Sequence, residues 1–151
     1  MTLALTRRGS RALGLDVVPE AVAQANSRGA QAVVGDVFAG VPGEGCWDTA
    51  LLADGNIGIG GDPVTLLRRV RQLLRPSGMV VVDLARPGTG LATRTLRLRV
   101  GKLTSEPFTW TAVSAEALHD VAGASGYCVE SIERVGSRWF AALRAGRFPC
   151  S

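Results

Sequence analysis

The sequence predicts an α/β fold in which a doubly wound, mostly parallel sheet ends in an antiparallel hairpin. Short apolar segments alternate with helical patterns over the first half of the chain, which is typical of a sheet covered by helices on both sides. The apolar run from Met79 to Leu84 carries a single charge, Asp83, as expected for a strand buried on both faces. Two strand patterns separated by Gly136 and Ser137 end the chain and predict the hairpin.

The first part of the chain predicts a helix, a strand, a helix and a second strand. These elements cover Leu3 to Arg8, Ala12 to Leu15, Pro19 to Arg28 and Ala32 to Val34. Gly9 stops the first helix, and Pro19 takes the first position of the second helix, where its missing N–H group is not needed. An acid follows each strand, Asp16 after the first and Asp36, behind Gly35, after the second.

The middle of the chain predicts a third strand from Trp47 to Ala53, a glycine-rich loop and a helix. Asp62 is a favourable N-cap residue, and Pro63 is a favourable first helical residue. Apolar residues then recur at helical spacing, namely Leu66, Leu67, Val70, Leu73 and Leu74. Arg75 to Gly78 predict a turn, which leads into the buried strand that begins at Met79.

The pattern changes after the turn that Pro87 to Gly90 predict. Leu96, Leu98 and Val100 alternate with arginines, which predicts a half-exposed strand outside the main sheet. Ser114 then caps a helix that runs to about Ala124. The closing hairpin comprises two strands, Tyr127 to Val135 and Arg138 to Leu143.

Length and composition favour a single soluble domain over residues 1–151. Hydrophobic residues make up 46% and charged residues 20% of the chain, as in ordinary globular proteins. The longest uncharged apolar run, Met79 to Val82, is far too short to cross a bilayer, and Met1 to Arg8 lack the features of a secretory signal. We therefore expect a cytoplasmic protein without a membrane partner.

The cysteines and the basic residues indicate neither a metal site nor a nucleic-acid partner. Cys46, Cys128 and Cys150 are far apart and lack a CxxC pair, so free thiols are expected. The net charge of +4 is spread along the chain except for one cluster. That cluster comprises Arg94, Arg97, Arg99 and Lys102. A solvated strand face is its simpler interpretation, and attraction of an anionic acceptor is the alternative.

Three segments together resemble the class I S-adenosylmethionine-dependent methyltransferases. ALGLDVVPEAVAQA, from Ala12 to Ala25, is similar to the family's second strand and following helix. AVVGDVF, from Ala32 to Phe38, is similar to its third-strand motif, and LLRRVRQLLRPSGMVVVDL, from Leu66 to Leu84, is similar to the helix, turn and fifth strand that follow the catalytic strand. The resemblance implies S-adenosylmethionine as cofactor and methyl transfer to an acceptor. A small molecule, a protein and a nucleic acid all stay open as that acceptor, and a small molecule is favoured because no basic nucleic-acid surface stands out.

The sequence differs from the family pattern at its N-terminal end. Only TLALTRRG, which is similar to the helix behind the family's GxGxG loop, stands before the second-strand segment. We therefore expect the family's first strand to be absent, the sheet edges beside it to be open to self-association, and the 151-residue chain to need residues upstream of Met1, or a second chain, for full activity.

The resemblance also implies which residues bind the cofactor and act in catalysis. Asp16, with Val17, would hold the ribose hydroxyls, since a carboxylate can accept hydrogen bonds from both. The alternative is an aspartate that caps the Pro19 helix or is solvated. Asp36 would accept from the adenine amino group, with Val37 against the ring, and a plain turn aspartate is the alternative.

The glycine-rich stretch DGNIGIGGDP, from Asp54 to Pro63, is the most unusual part of the sequence. It lacks the order of a P-loop, so nucleoside triphosphate binding is not expected. The resemblance places Asp54, Gly55 and Asn56 beside the transferring methyl group, with Asp54 as a base or orienting acceptor. A flexible loop without ligand contact is the alternative.

Three other residues have two interpretations each. His119 is the only histidine, and its place inside the Ser114 helix favours a surface position over a role as general base. Phe108 and Trp110 would either line an acceptor pocket or pack in the core.

Two other functions are alternatives to a methyltransferase. They are a nicotinamide-dependent oxidoreductase and a non-catalytic domain that binds a partner through its sheet edges.

Overall fold

A short parallel strand pair organises the first of two units. The computed structural model describes residues 1–101 and 103–146, and their Cα positions group into the units Met1–Pro42 and Gly43–Ser151. The first unit contains α1 (Thr2–Arg7), β1 (Gly14–Asp16), α2 (Pro19–Ser27) and β2 (Ala32–Val34). The predicted order of helix, strand, helix and strand is thereby confirmed. The expectation of a single domain stays a prediction.

The parallel register of β1 and β2 places their carboxyl ends at the same end of the strand pair. Gly14 pairs with Ala32, and Asp16 pairs with Val34, in parallel. The Asn26 side chain fixes the entry to β2, because its Oδ1 accepts from the Ala32 amide at 2.8 Å and its Nδ2 donates to the Ala32 carbonyl at 3.0 Å. The predicted acids, Asp16 at the end of β1 and Asp36 after β2, therefore lie at the same end of the pair.

The second unit contains one four-stranded sheet, two short strand pairs and two long helices. Its strands are β3 (Trp47–Leu52), β4 (Leu74–Leu84), β5 (Leu91–Leu96), β6 (Arg99–Val100), β7 (Leu103–Thr104), β8 (Phe108–Val113), β9 (Tyr127–Val135) and β10 (Arg138–Ala145). Its helices are a 3₁₀ turn (Asn56–Gly58), α3 (Pro63–Leu73) and α4 (Ala115–Ser125). The predicted closing hairpin is confirmed as β9 and β10.

The main sheet is mixed, with strand order β3-β4-β10-β9. β3 and β4 are parallel, whereas β10 is antiparallel to both β4 and β9. The α/β class is confirmed, but the predicted doubly wound, mostly parallel arrangement is not. The reason is that β4 has a parallel neighbour on one side only, since the hairpin occupies its other side.

The predicted turn before the buried strand is absorbed into β4. Trp47 pairs with Leu74, but Thr49 already pairs with Met79, so the residues between Leu74 and Met79 form an irregular bulge in the ladder. Beyond it, Val80 and Val82 are fully buried. A strand with apolar neighbours on both faces needs this continuous apolar run, as the sequence predicted.

Helix α3 supplies much of the apolar core of this unit. Asp62 caps it, since Oδ1 accepts from the amides of Val64 (3.0 Å) and Thr65 (3.1 Å) and Oδ2 accepts from the Thr65 hydroxyl (2.6 Å). The predicted cap is therefore confirmed. Buried core side chains are contributed by α3, β4, α4 and β10, and include Leu66, Leu67, Val70, Val80, Val82, Leu118, Ala141 and Leu143.

The segment after β4 forms small sheets of its own. β5 is antiparallel to β8, and β6 is antiparallel to β7. A strand region outside the main sheet was expected, although the chain breaks it into β5 and β6. Arg94, Arg97 and Arg99 are exposed, which fits a solvated face, while Lys102 lies outside the described residues.

The expectation of free thiols holds for one cysteine and is wrong for another. Cys46 is free and exposed, but Cys128 is disulfide-bonded. Linear spacing cannot reveal which residues a hairpin register brings close, and β9 places Cys128 opposite Arg144 near the end of β10. Cys150 lies outside the described residues. Within residues 1–101 and 103–146, no helix has the length and apolar character needed to span a membrane.

Candidate functional site

Asp16 and Asp36 stand at the carboxyl ends of the paired strands β1 and β2. The Val18 amide donates to Asp16 Oδ1 at 2.9 Å, and the Phe38 amide donates to Asp36 Oδ1 at 2.9 Å. Both carboxylates are exposed, and in the part of the chain that the structure describes neither Oδ2 has a hydrogen-bond partner. Each acid is thus oriented by one local turn and keeps one oxygen available as an acceptor.

Apolar residues directly follow each of these two acids in the chain. Val17 is 64% exposed and Phe38 is 41% exposed, while Val37 is half-buried. Exposed apolar surface next to unpaired carboxylate oxygens is a combination that suits a ligand with an aromatic ring and hydroxyl groups. Asp16 does not cap α2, because the N-cap residue of that helix is Val18 and no side chain satisfies its first amides.

The glycine-rich loop follows the carboxyl end of β3 in the second unit. Asp54 is the one non-glycine residue with a positive φ (54°) among the described residues, and Gly55 follows with φ of 74°. Asn56 then begins the 3₁₀ turn. The chain therefore bends sharply where the family resemblance placed Asp54, Gly55 and Asn56, and it does so partly at a residue for which that φ is unfavourable.

Contacts with β8 hold the loop in place. The Thr111 hydroxyl donates to the Gly61 carbonyl at 2.6 Å, and Ile59 forms an isolated bridge with Trp110. Gly58 approaches β8 so closely that a β-carbon there would lie 2.7 Å from Trp110 Nε1. The loop is therefore ordered by packing, which counts against the alternative of a flexible loop.

Phe108 and Trp110 contribute to this packing. Both rings are half-buried, and their centroids lie 6.3 Å apart in an edge-to-face arrangement. Trp110 forms the bridge with Ile59 of the loop, and Phe108 packs against the Trp110 ring. Core packing accounts for both aromatic residues as well as a pocket lining would.

Arg138, the first residue of β10, connects the loop to the main sheet. Its Nη2 donates to Asp54 Oδ1 at 2.6 Å and also to Asp83 Oδ2 on β4. Asp83 is buried, and the hydrogen bond to it is the main reason that the pKa of Arg138 is raised above its usual value, with Asp54 second. Asp54 Oδ2 has no partner among the described residues.

The sequence analysis did not identify Arg138 or the role of Asp83. A charge in an otherwise apolar buried strand requires a counter-charge, so Asp83 is the signal from which a nearby cation could have been expected. Which cation it would be depends on the register of β10, in which Phe140 pairs with Asp83, and that register is not visible in the sequence.

The remaining candidates belong to other elements of the second unit. His119 is exposed on α4, which confirms the expected surface position. Arg97 and Arg99 are exposed and make no ion pair in the described part of the chain. No group of three or more potential metal ligands occurs among the described residues.

Comparison with solved structures identifies the fold. A methyltransferase of Bacteroides fragilis in complex with S-adenosyl-L-homocysteine superposes with a TM-score of 0.79 at 22% identity, covering 96% of this chain and 67% of that one. The 1,6-didemethyltoxoflavin-N1-methyltransferase of Burkholderia thailandensis gives 0.70 at 20% identity, covering 96% and 65%. The glycopeptide N-methyltransferase MtfA gives 0.70 at 16% identity, covering 96% and 78%.

The chain therefore has the fold of the S-adenosylmethionine-dependent methyltransferases. It spans about two thirds of the length of the first two of these structures. No protein-family profile matches the sequence, and no curated protein matches it.

Proposed function

We propose that this chain binds S-adenosylmethionine and takes part in methyl transfer to a small-molecule acceptor. The observation that carries the proposal is the pair of exposed acids, Asp16 and Asp36, at the ends of adjacent parallel strands in a methyltransferase fold. Neighbours with this fold were crystallised with S-adenosyl-L-homocysteine or S-adenosyl-L-methionine. A cytoplasmic location fits such a function and stays a prediction.

The residues of the first unit fit the adenosine part of the cofactor. Asp16 Oδ2 would accept from the ribose hydroxyls, because Oδ1 is already occupied by the Val18 amide. Asp36 Oδ2 would accept from the adenine amino group in the same way. Val17 and Val37 would cover the apolar faces of the nucleoside.

The residues of the second unit would act on the acceptor. The bound cofactor supplies an electrophilic methyl group, so the protein has to align the acceptor and, where the acceptor carries a proton, to accept it. Asp54 Oδ2 is available for that hydrogen bond, since Oδ1 is held by Arg138. Gly55 and Asn56 would shape the backbone around the reacting atoms.

A small-molecule acceptor is favoured over nucleic acid. Apart from Arg94, Arg97 and Arg99, the exposed arginines of the described chain are scattered, and Arg75, Arg138 and Arg144 are already paired with acids. Among the fold neighbours, one acts on 1,6-didemethyltoxoflavin and another on a glycopeptide. The identity of the acceptor of this chain would follow from screening with radiolabelled S-adenosylmethionine.

Isothermal titration with S-adenosylhomocysteine tests the cofactor site. Asp16→Ala removes a charge-assisted pair of hydrogen bonds and should weaken binding by roughly 2 to 3 kcal/mol, or about a hundredfold. Glu20→Ala is the matched control, because Glu20 is an exposed acid on α2 in the same unit and should leave the affinity unchanged.

Two results of this titration would count against the proposal. If Asp16→Ala binds as tightly as the unaltered chain, Asp16 does not hold the ribose. If the unaltered chain binds NAD but not S-adenosylhomocysteine, the fold serves a nicotinamide-dependent reaction instead.

Self-association through an open strand edge is a separate proposal. β3 ends the sheet order, so one of its edges has no strand partner among the described residues, and Leu51 on it is 38% exposed. Sedimentation equilibrium over a range of concentrations would detect a dimer, and a monomer at all concentrations would contradict it.

A further inference from the structure

Asp83 and Arg138 form an anchored ion pair at the carboxyl end of β4. Asp83 is 7% exposed, and a buried carboxylate is costly unless a cation pairs with it. The antiparallel register places Phe140 opposite Asp83, so Arg138 lies two residues before the paired position, at the start of β10, and its side chain reaches the carboxylate. The Arg138 guanidinium also lies over the Phe140 ring, 5.3 Å from its centroid, which restricts its orientation.

The same nitrogen that pairs with Asp83 also holds Asp54. Asp54 has a side chain that is 75% exposed and a φ of 54°, so neither burial nor backbone preference fixes its position. The contact with Arg138 Nη2 at 2.6 Å is its one side-chain hydrogen bond in the described chain. An exposed carboxylate on an unfavourable backbone is thus tied to a buried anchor through a single guanidinium.

We propose that Arg138 is a positioning residue for the methyl-transfer site. Anchored by Asp83, it fixes the Asp54 carboxylate at the end of β3 with Oδ1 occupied and Oδ2 directed to the acceptor. The terminal hairpin thereby controls the geometry of the glycine-rich loop. This inference rests on the function proposed for Asp54 above.

A purely structural role for Arg138 makes different predictions. If Arg138 served only to neutralise Asp83 and to pack on Phe140, its removal would act on the hairpin and would be independent of Asp54. If it acts through Asp54, the effects of removing either partner on the loop should overlap instead of adding. A lysine at position 138 should keep the loop partly ordered, because one ammonium group can contact both carboxylates.

Hydrogen exchange of the amides in residues 54–61, followed by mass spectrometry, provides a readout that needs no ligand. Arg138→Gln should speed this exchange by up to about fivefold, the range expected for a partly exposed ion pair. Asp54→Asn should have a similar effect, and the double variant should exchange no faster than either single one. Arg138→Lys should return the rate toward that of the unaltered chain.

Two further variants keep the experiment decisive. Arg134→Gln is the matched control, because Arg134 lies in the same hairpin and contacts neither acid, so it should leave the loop exchange unchanged. Arg138→Gln combined with Asp83→Asn leaves no unpaired charge in the interior. This double variant should therefore stay folded even if Arg138→Gln alone does not. The loop amides of this double variant should exchange as fast as those of Arg138→Gln.

The outcomes separate this inference from the proposed function. Unchanged loop exchange in the Asp83→Asn, Arg138→Gln chain, or additive effects of Arg138→Gln and Asp54→Asn, would overturn the positioning role even if S-adenosylhomocysteine binds. If the unaltered chain fails to bind S-adenosylhomocysteine in a parallel titration, the proposed function is wrong, and the role of Arg138 in methyl transfer is overturned with it.

Discussion

Replacement of Gly58 by alanine should destabilise the second unit strongly. Gly58 is buried at the end of the 3₁₀ turn and does not have a positive φ, so alanine is compatible with its backbone conformation. The added β-carbon would lie 2.7 Å from Trp110 Nε1 and 2.8 Å from Trp110 Cδ1, and closer still to the Thr111 carbonyl oxygen. The alanine would therefore be destabilising for steric reasons, and the atom nearest to its β-carbon would be a backbone oxygen.

The magnitude follows from what would have to move. An indole can rotate, but the Thr111 carbonyl belongs to β8, which is paired with β5, and the Thr111 hydroxyl is bonded to the Gly61 carbonyl. Overpacking of a well-packed interior costs typically 1 to 3 kcal/mol, and we expect about 3 kcal/mol here because backbone cannot yield as a side chain does. This corresponds to roughly a hundredfold change in the folding equilibrium.

Urea denaturation followed by tryptophan fluorescence measures this loss as a lower midpoint at constant slope. Gly123→Ala is the matched control, since nothing lies within 4 Å of a β-carbon at Gly123 and the residue is inside α4. Alanine should stabilise that helix by up to about 1 kcal/mol. If Gly58→Ala unfolds at the same urea concentration as the unaltered chain, the loop is not packed on β8 as described.

Other predictions concern single side chains of the second unit. Burial raises the pKa of Tyr127 to about 12, so the fold favours the neutral phenol, and stability should be lost as the pH rises from about 10 towards 12. Since Tyr127 is the one tyrosine in the sequence, an ultraviolet absorbance titration reports on it directly, and Tyr127→Phe should abolish this pH dependence. His119→Gln should change stability by less than about 0.5 kcal/mol and leave cofactor binding unaltered, and a larger loss in calorimetry would give the histidine a role. Asp62→Ala should cost about 1 kcal/mol in thermal unfolding because α3 loses its cap.

Features specified by a few neighbouring residues could be predicted from the sequence. The starts of α2 and α3 follow from proline at the first helical position, and the cap at Asp62 follows from its place before Pro63. The buried run of β4 and the turn between β9 and β10 are also local signals. The positions of Asp16 at the end of one strand and of Asp36 shortly after the next were local signals too, whereas their role in binding the cofactor stays a prediction.

Features that depend on strand register could not be predicted in this way. The sequence shows that β4 is buried and that an antiparallel hairpin ends the chain, but it does not show the register in which the hairpin joins β4. The ion pairs of Arg138 join residues that are 55 and 84 positions apart in the chain. The disulfide at Cys128 was not indicated by the spacing of the cysteines in the sequence either.

The glycines of the loop have two different functions, which composition alone cannot separate. A β-carbon at Gly58 or Gly61 would collide with β8, so both glycines serve packing, and Gly61 is required in addition by its φ of 78°. Gly55 is required by its positive φ, has only a loose contact with Trp110 at 3.9 Å, and stands beside Asp54, whose carboxylate is held by Arg138. A glycine-rich sequence that resembles a phosphate cradle is therefore better explained as a packed support with one exposed acid at its start. Ligand chemistry in this unit should be sought at Asp54 and the residues directly after it.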